Sequence, residues 1–285
     1  AFVPDTPGLP ISQYDGRLFF GDLRCVCGGA LKGIGTHTCK PVAYKAWTSK
    51  TGLPTENGCY YLFNDVEMKT QASIQKDSTV NLDLNGKTVK SGENARIYIT
   101  MNEKSNLRIS DSVGGGKMIA RGSDFKQDGN IAYCRYGFIT LYAGTFDASQ
   151  VVTVSGGAAF AAGAMSDNIT MYGGEIIGGT SKCVTTVKDN GTYTSKGGYG
   201  GSVYVGKNAR FTMYGGIVRD GISLSDHVTV TTNGVSSAKT TNGFAGNIYV
   251  ESDGTFEMKT IAGLAFWHCS KLVDAAIGGN VETIG

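Results

Sequence analysis

The sequence predicts an all-β protein, a parallel β-helix in which one short unit is stacked many times. The first observation is a repeated phrase, found at Leu141-Tyr142-Ala143-Gly144-Thr145-Phe146, Met171-Tyr172-Gly173-Gly174-Glu175-Ile176, Met213-Tyr214-Gly215-Gly216-Ile217-Val218 and, degraded, at Met258-Lys259-Thr260-Ile261. A second phrase recurs upstream, at Gly129-Asn130-Ile131-Ala132-Tyr133, Gly201-Ser202-Val203-Tyr204-Val205 and Gly246-Asn247-Ile248-Tyr249-Val250. An internal repeat indicates a stack of one unit and not a single closed core. Apolar residues nowhere keep a 3.6-residue period over three turns, so long helices are not expected.

Composition and charge limit the classes of function that the sequence supports. Glycine contributes 42 of the 285 residues and proline only 5, which favours strands joined by glycine turns over disorder. The 26 Lys and Arg nearly balance the 24 Asp and Glu, so electrostatics give no reason to expect a nucleic-acid partner. No window approaches the ~20 apolar residues of a transmembrane segment. The start Ala1-Phe2-Val3 is typical of a chain after signal-peptide removal, so we expect secretion, although a trimmed expression product would begin in the same way.

Three regions follow one another along the chain. Residues 1–24 carry three prolines and form an extended N-terminal arm that leads into Arg17-Leu18-Phe19-Phe20. Residues 25–46 form a Cys/His hairpin. Residues 47–285 form the β-helix, whose opening stretch 80–89 alternates inward Val and Leu with outward Asn and Asp, and turns at Asn85-Gly86.

The repeats are unevenly spaced. Tyr142 to Tyr172 is 30 residues, Tyr172 to Tyr214 is 42, and Tyr214 to Lys259 is 45. Loops of different length must therefore leave a constant coil, and the longer intervals contain the Ser, Thr, Gly and Lys-rich stretches 180–196 and 223–242. In repeat stacks such insertions emerge on one face, where they either bind a partner or are simply solvated surface loops.

The N-terminal Cys/His cluster has the composition of a structural zinc site. Cys25, Cys27, His37 and Cys39 enclose a glycine-rich loop, and three Cys with one His form a closed tetrahedral set that leaves no position for water. We therefore expect structural Zn²⁺, with disulfides as the alternative in an oxidising compartment. The remaining cysteines are compatible with either disulfides or buried thiols; they are Cys59, Cys134, Cys183 and Cys269.

An ordered set of motifs carries a family resemblance. The set comprises Cys25-Val26-Cys27-Gly28-Gly29, the His37/Cys39 pair, Trp47, Leu53-Pro54-Thr55, the stretches 58–66 and 82–89, and the Met-Tyr-Gly-Gly phrases. Over roughly residues 25–260 the chain resembles the right-handed parallel β-helix modules, pectin-lyase-like in fold, of large secreted or cell-surface repeat proteins of anaerobic bacteria. The resemblance implies right-handed coiling, an extracellular location, and surface or adhesive roles, mostly without a demonstrated activity.

The sequence does not favour catalysis, although polysaccharide lyases and hydrolases share the scaffold. Hydrolysis needs two carboxylates about 5–10 Å apart. The acidic residues of the stack are scattered; they are Asp83, Asp111, Asp147, Glu175, Asp220, Asp226 and Glu257. Ser225-Asp226-His227 are adjacent, so their side chains point to opposite faces, and we interpret His227 as a loop histidine. Trp267-His268-Cys269 is interpreted as a packed or capping strand. We predict no catalytic residue, with carbohydrate cleavage as the alternative.

Two kinds of partner are expected. Tyr142, Tyr172 and Tyr214 are candidate contacts for surface glycans or proteins, although packing at the turn explains them equally well. The second kind of partner is another copy of the chain. The arm with Phe19 and Phe20 is complementary to an uncapped C-terminal stretch, 275–285, and a head-to-tail contact would propagate a filament. Alternatively, the arm folds back on its own coil, or a following module supplies the cap.

Overall fold

The computed structural model describes residues 11–14, 17–20, 22–29, 40–92, 96–125, 129–163, 168–188, 192–232 and 235–258. These residues form 28 strands and no helix, so the described part of the chain contains no helix that could span a membrane. The strands are β1 (Ile11–Tyr14), β2 (Arg17–Phe20), β3 (Asp22–Cys25), β4 (Pro41–Trp47), β5 (Gly58–Leu62), β6 (Val66–Met68), β7 (Ala72–Ile74), β8 (Thr79–Asp83), β9 (Thr88–Ser91), β10 (Ile99–Met101), β11 (Ser105–Ser110), β12 (Lys117–Phe125), β13 (Ala132–Cys134), β14 (Gly137–Leu141), β15 (Thr145–Thr153), β16 (Phe160–Ala162), β17 (Asn168–Met171), β18 (Glu175–Ile177), β19 (Thr180–Val187), β20 (Tyr193–Gly197), β21 (Val203–Val205), β22 (Arg210–Met213), β23 (Ile217–Arg219), β24 (Ile222–Leu224), β25 (Asp226–Thr232), β26 (Val235–Thr241), β27 (Ile248–Val250) and β28 (Thr255–Met258).

Three mainly parallel sheets make up the body, and the chain adds strands to them in a fixed repeating order. Face 1 has the strand order β28-β22-β17-β14-β11-β8-β5-β4-β3. Face 2 runs β20-β19-β15-β12-β9-β6, with β18, β23 and β24 alongside, and face 3 runs β27-β21-β16-β13-β10-β7. Each coil adds one layer to each face, as β8, β9 and β10 do in turn. The all-β prediction is confirmed, and the long parallel sheets are compatible with the predicted β-helix.

The strand register aligns the repeated phrases. Leu141 pairs with Met171, Met171 with Met213, and Met213 with Met258, so Met258, the first residue of the degraded fourth phrase, is in register with the series. Tyr204 and Tyr249 of the second phrase also pair. The uneven spacing of the repeats therefore comes from the segments that connect the strands of face 1.

The interior is a continuous apolar stack that runs through all three faces. Its largest members have essentially no solvent exposure, among them Phe146 and Phe160, whose rings meet edge to face at 5.4 Å. At the corner between faces 1 and 2, Gly174 has a φ of 88°, and an added Cβ would lie 2.6 Å from the carbonyl oxygen of Gly144. The repeated Tyr-Gly-Gly phrase thus requires glycine because the backbone is left-handed and the coils approach closely.

Both long insertions are antiparallel hairpins and not irregular loops. Strand β19 pairs with β20, and β25 pairs with β26. The two hairpins lie one coil apart, and the backbone N–H of Thr185 donates to Asp226 at 2.6 Å. His227 lies in strand β25 and not in the loop predicted for it, because the Thr and Val residues around it favour β structure. The sequence contained a hairpin signal, since each pair of strands is joined through an Asn-Gly dipeptide.

The N-terminal region forms two antiparallel strand pairs, of which β3–β4 joins face 1 and β1–β2 is a separate two-stranded sheet. Strands β1 and β2 pair antiparallel, as do β3 and β4, and β4 then pairs in parallel with β5. Strand β3 crosses the predicted boundary between arm and hairpin, and β4 crosses that between hairpin and β-helix. The β3–β4 pair is thus continuous with face 1.

Candidate functional site

The Cys25–Gly29 segment, called here the cysteine turn, brings two thiols together. It follows β3, and the N–H of Gly28 donates to the carbonyl of Cys25 at 2.9 Å. The sulfurs of Cys25 and Cys27 are 3.2 Å apart, well beyond the ~2.05 Å of a disulfide bond, so they are adjacent but not bonded to each other. One ion could contact both sulfurs. His37 and Cys39, the other predicted zinc ligands, lie outside the described residues, and no group of three metal-binding side chains occurs within the described part.

The cysteine turn packs against the outer surface of face 1. A Cβ added to Gly28 would lie 2.9 Å from the Cβ of Ser110, and Gly28 has a left-handed φ of 59°. Burial raises the pKa of the nearby Tyr142; Arg108 acts to lower it, while Tyr172 and the two thiols raise it further. The turn thus lies at the N-terminal end of the tyrosine series.

An ion-paired network, called here the Arg24 clamp, attaches β3 to the first coils. The Asp83 carboxylate, 1% exposed, accepts hydrogen bonds from the guanidinium of Arg24 at 2.7 Å and from the hydroxyl of Ser112 at 2.6 Å. It also accepts from the backbone N–H groups of Asn85 at 2.9 Å and Ser112 at 3.0 Å. The guanidinium covers the Tyr61 ring at 4.2 Å.

The charge state of Asp83 follows from these contacts. Burial alone would raise the pKa of Asp83 and is the largest single influence. The hydrogen bonds from Ser112, Arg24 and Asn85 together outweigh it, and the pKa is lowered. The sequence correctly placed Asp83 on the outward side of its strand but did not predict that β3 would bury it.

The three candidate tyrosines form a stacked ladder. Tyr142 and Tyr172 stack at 5.4 Å between ring centroids, and Tyr172 and Tyr214 stack at 4.7 Å, with interplanar angles of 12° and 10°. Both faces of Tyr172 are therefore occupied by its neighbours. Sugar stacking needs an open ring face, and the ladder offers mainly ring edges and hydroxyl groups.

A shallow cavity of about 540 Å³ lies on the outer surface of face 1, next to this ladder. It is called the Phe138 cavity and is lined by Phe138, Asn168, Thr170, Asn208, Ala209, Arg210, Thr212 and Thr255. Phe138, Asn168, Arg210 and Thr255 occupy successive positions of one column across β14, β17, β22 and β28. Sequence reasoning missed this site, although strict alternation in β14 places Phe138 on the same side as Thr140, away from the core.

The seven acidic residues named from the sequence all make structural contacts. Asp111 accepts from the backbone N–H groups of Gly86 and Gly116, Asp147 from that of Ser149, and Asp226 from that of Thr185. Glu175 and Asp220 pair with Arg219, Glu257 pairs with Arg210, and Asp83 belongs to the Arg24 clamp.

The structure describes the triad-like sequence Ser225-Asp226-His227. Ser225 accepts from the N–H of Gly243 at 3.2 Å, and His227 Nδ1 lies 2.9 Å from the hydroxyl of Thr240. Together with the Asp226 contact, this directs the three adjacent side chains to three different partners. Residues 267–269 lie outside the described residues.

The remaining cysteines and the arm complete the set of predicted residues. Cys59 lies 3.2 Å from Asn81, Cys183 lies 3.1 Å from the Ser195 hydroxyl, and Cys134 donates to the Gly137 carbonyl at 2.9 Å. Cys59 and Cys183 form no disulfide bond within the described residues. Cys269 is outside the described residues. In the arm, Phe19 and Phe20 belong to β2, whose backbone pairs with β1.

No protein-family model, curated protein or solved structure matches this chain.

Proposed function

We propose that this protein is a secreted, non-enzymatic structural or adhesive β-helix of a bacterial surface, coiled in the right-handed sense. The observation that carries the proposal is the use of its carboxylates. Each of the seven acidic residues named from the sequence satisfies backbone N–H groups or pairs with an arginine, and Asp83 and Asp111 are buried. Groups committed to such contacts are poorly suited to exchange protons with a substrate.

Activity on polysaccharides tests the non-enzymatic part of this proposal. Purified protein is incubated with a panel of uronic-acid and neutral polysaccharides, and reducing ends and unsaturated products are measured. We expect neither to exceed the level of a heat-denatured sample. Release of either product by the native protein would establish carbohydrate cleavage instead.

Zinc belongs to the same proposal as a structural ion. Cys25, Cys27, His37 and Cys39 would hold it, and bound zinc would fix the cysteine turn against face 1. The adjacent sulfurs of Cys25 and Cys27 support this assignment, since two donors are already close together. Elemental analysis should give about one zinc per chain. Cys27→Ser should lose the metal, whereas Cys59→Ser should retain it. Cys25 or Cys39 found in a disulfide by mass spectrometry would contradict the zinc assignment.

End-to-end assembly is the form of structural role that we propose. The arm with Phe19 and Phe20 of one copy would contact residues 275–285 of the next, a heterologous contact that does not close and so generates a filament. Negative-stain microscopy should show filaments that disappear when residues 1–24 are removed. A full-length protein that stays monomeric at high concentration would contradict assembly.

A further inference from the structure

We propose that the Phe138 cavity binds a neutral hexopyranose unit of a polysaccharide. This inference deepens the adhesive role proposed above and rests on it. The cavity volume of about 540 Å³ lies within the ~300–1,000 Å³ typical of small-molecule sites. Its column spans four strands, so its length along the stack is roughly 14 Å at ~4.8 Å per strand.

Phe138 supplies the platform on which a sugar ring would stack. Its side chain is 42% exposed on the outward side of β14, and within the described residues its ring contacts no other aromatic ring. The register places Asn106 and Asn168 on its two sides along the column, so no neighbouring ring covers it as one covers Tyr172. An exposed aromatic face beside polar groups is the arrangement that recognises the apolar face of a pyranose.

Polar side chains that make no hydrogen bond to another described residue lie around this platform. Asn85, Asn102 and Asn130 use their side-chain amides to hydrogen-bond backbone carbonyls of the stack. The Asn168 and Asn208 amides, in contrast, make no hydrogen bond to another described residue and line the cavity. Each amide offers both donors and an acceptor, and the Thr170 hydroxyl beside them offers both roles as well. Sugar hydroxyl groups, which also donate and accept, match this set.

The local charge favours a neutral sugar over an acidic one. Arg210 lines the cavity, but its guanidinium lies 3.7 Å from the carboxylate of Glu257, which occupies the neighbouring column on β28. This pairing leaves little net positive charge to attract a uronate or sulfate. Arg210 remains able to donate to a sugar hydroxyl, because its guanidinium carries five N–H groups.

Direct binding measurements test the site. Isothermal titration with cello-, laminari-, manno- and chito-oligosaccharides, and with hexagalacturonate as the charged comparison, should show binding of at least one neutral oligosaccharide. Phe138→Ala should weaken that binding about tenfold or more, and Asn168→Ala by several-fold. Phe63→Ala is the matched control, since Phe63 is a 59% exposed phenylalanine outside the cavity, and it should bind as the wild type does. Unfolding curves confirm that each variant is folded.

Three outcomes would overturn the inference. They are no binding of any neutral oligosaccharide, unchanged affinity in folded Phe138→Ala, and a preference for hexagalacturonate that salt abolishes. Failure of the sugar site leaves zinc content, filament formation and the absence of polysaccharide cleavage unaffected. The failure of this site and the failure of the structural role are therefore separately measurable.

Discussion

Replacing Arg24 with methionine should loosen the N-terminal strands from the stack. The Asp83 carboxylate is 1% exposed and the Arg24 side chain 15% exposed, so the pair is largely shielded from solvent. Removing one partner of a buried ion pair costs about 3–5 kcal/mol, because the other charge is left buried without compensation. Three hydrogen bonds to Asp83 remain, from Ser112 and Asn85, so we expect the lower end, about 3 kcal/mol.

Hydrogen exchange of peptides that cover β3 and β4 measures this local opening, and urea unfolding measures any global loss. Asp83→Asn keeps the shape but removes the charge, and the double variant Arg24→Met/Asp83→Asn should cost less than the sum of the two single changes by about 1.5 kcal/mol or more. Arg219→Met is the matched control, because the Arg219–Glu175 pair lies at 2.6 Å with side chains 44% and 29% exposed. An exposed pair should contribute at most about 1 kcal/mol.

The clamp interpretation would be refuted if Arg24→Met and Arg219→Met had equal effects. It would also be refuted if the costs of the two single changes were strictly additive in the double variant.

The remaining predictions concern protonation, the cysteine turn and the core. Because the pKa of Asp83 is lowered on folding, its stabilisation is complete above the unfolded value of about 3.9 and is lost as pH falls through the lower folded value. The urea midpoint of the wild type should therefore fall more steeply below about pH 4 than that of Asp83→Asn. Gly28→Ala should increase hydrogen exchange in residues 22–29 more than Gly29→Ala, because both have positive φ but only at Gly28 would a Cβ meet another side chain, at 2.9 Å. Phe160→Ala should cost about 3–5 kcal/mol in urea unfolding, whereas Phe63→Ala should stay within about 0.5 kcal/mol; similar losses would argue against the packed interior described above.

Local sequence patterns were sufficient to predict the stack. The Tyr-Gly-Gly phrases predicted both a strand and the corner that follows it. The backbone is left-handed there, with φ values of 88° at Gly174 and 94° at Gly216, and this conformation favours glycine. The coil that contains β16 was not recognised in the sequence. Its outward position is occupied by Ala161, where the neighbouring coils have Tyr133 and Tyr204. A search for repeated tyrosines does not find a coil that lacks one, whereas the inward alternation around Phe160 is preserved.

Contacts between distant segments could not be predicted in the same way. Arg24 and Asp83 are 59 residues apart, and nothing in either local pattern indicates that one buries the other. The Phe138 cavity likewise depends on four strands whose register is known only once the insertions between them are recognised as hairpins. Cys25 and Cys27 were predictable as neighbours because their spacing is local.

The paired hairpins have a consequence for how such a chain can change. Strands β17, β22 and β28 keep their register although the intervals between them include whole antiparallel hairpins. Peptides inserted between β19 and β20 or between β25 and β26 should therefore leave the register of the face 1 strands intact. The sequence between the hairpin strands can therefore change while the packing of the stack stays the same.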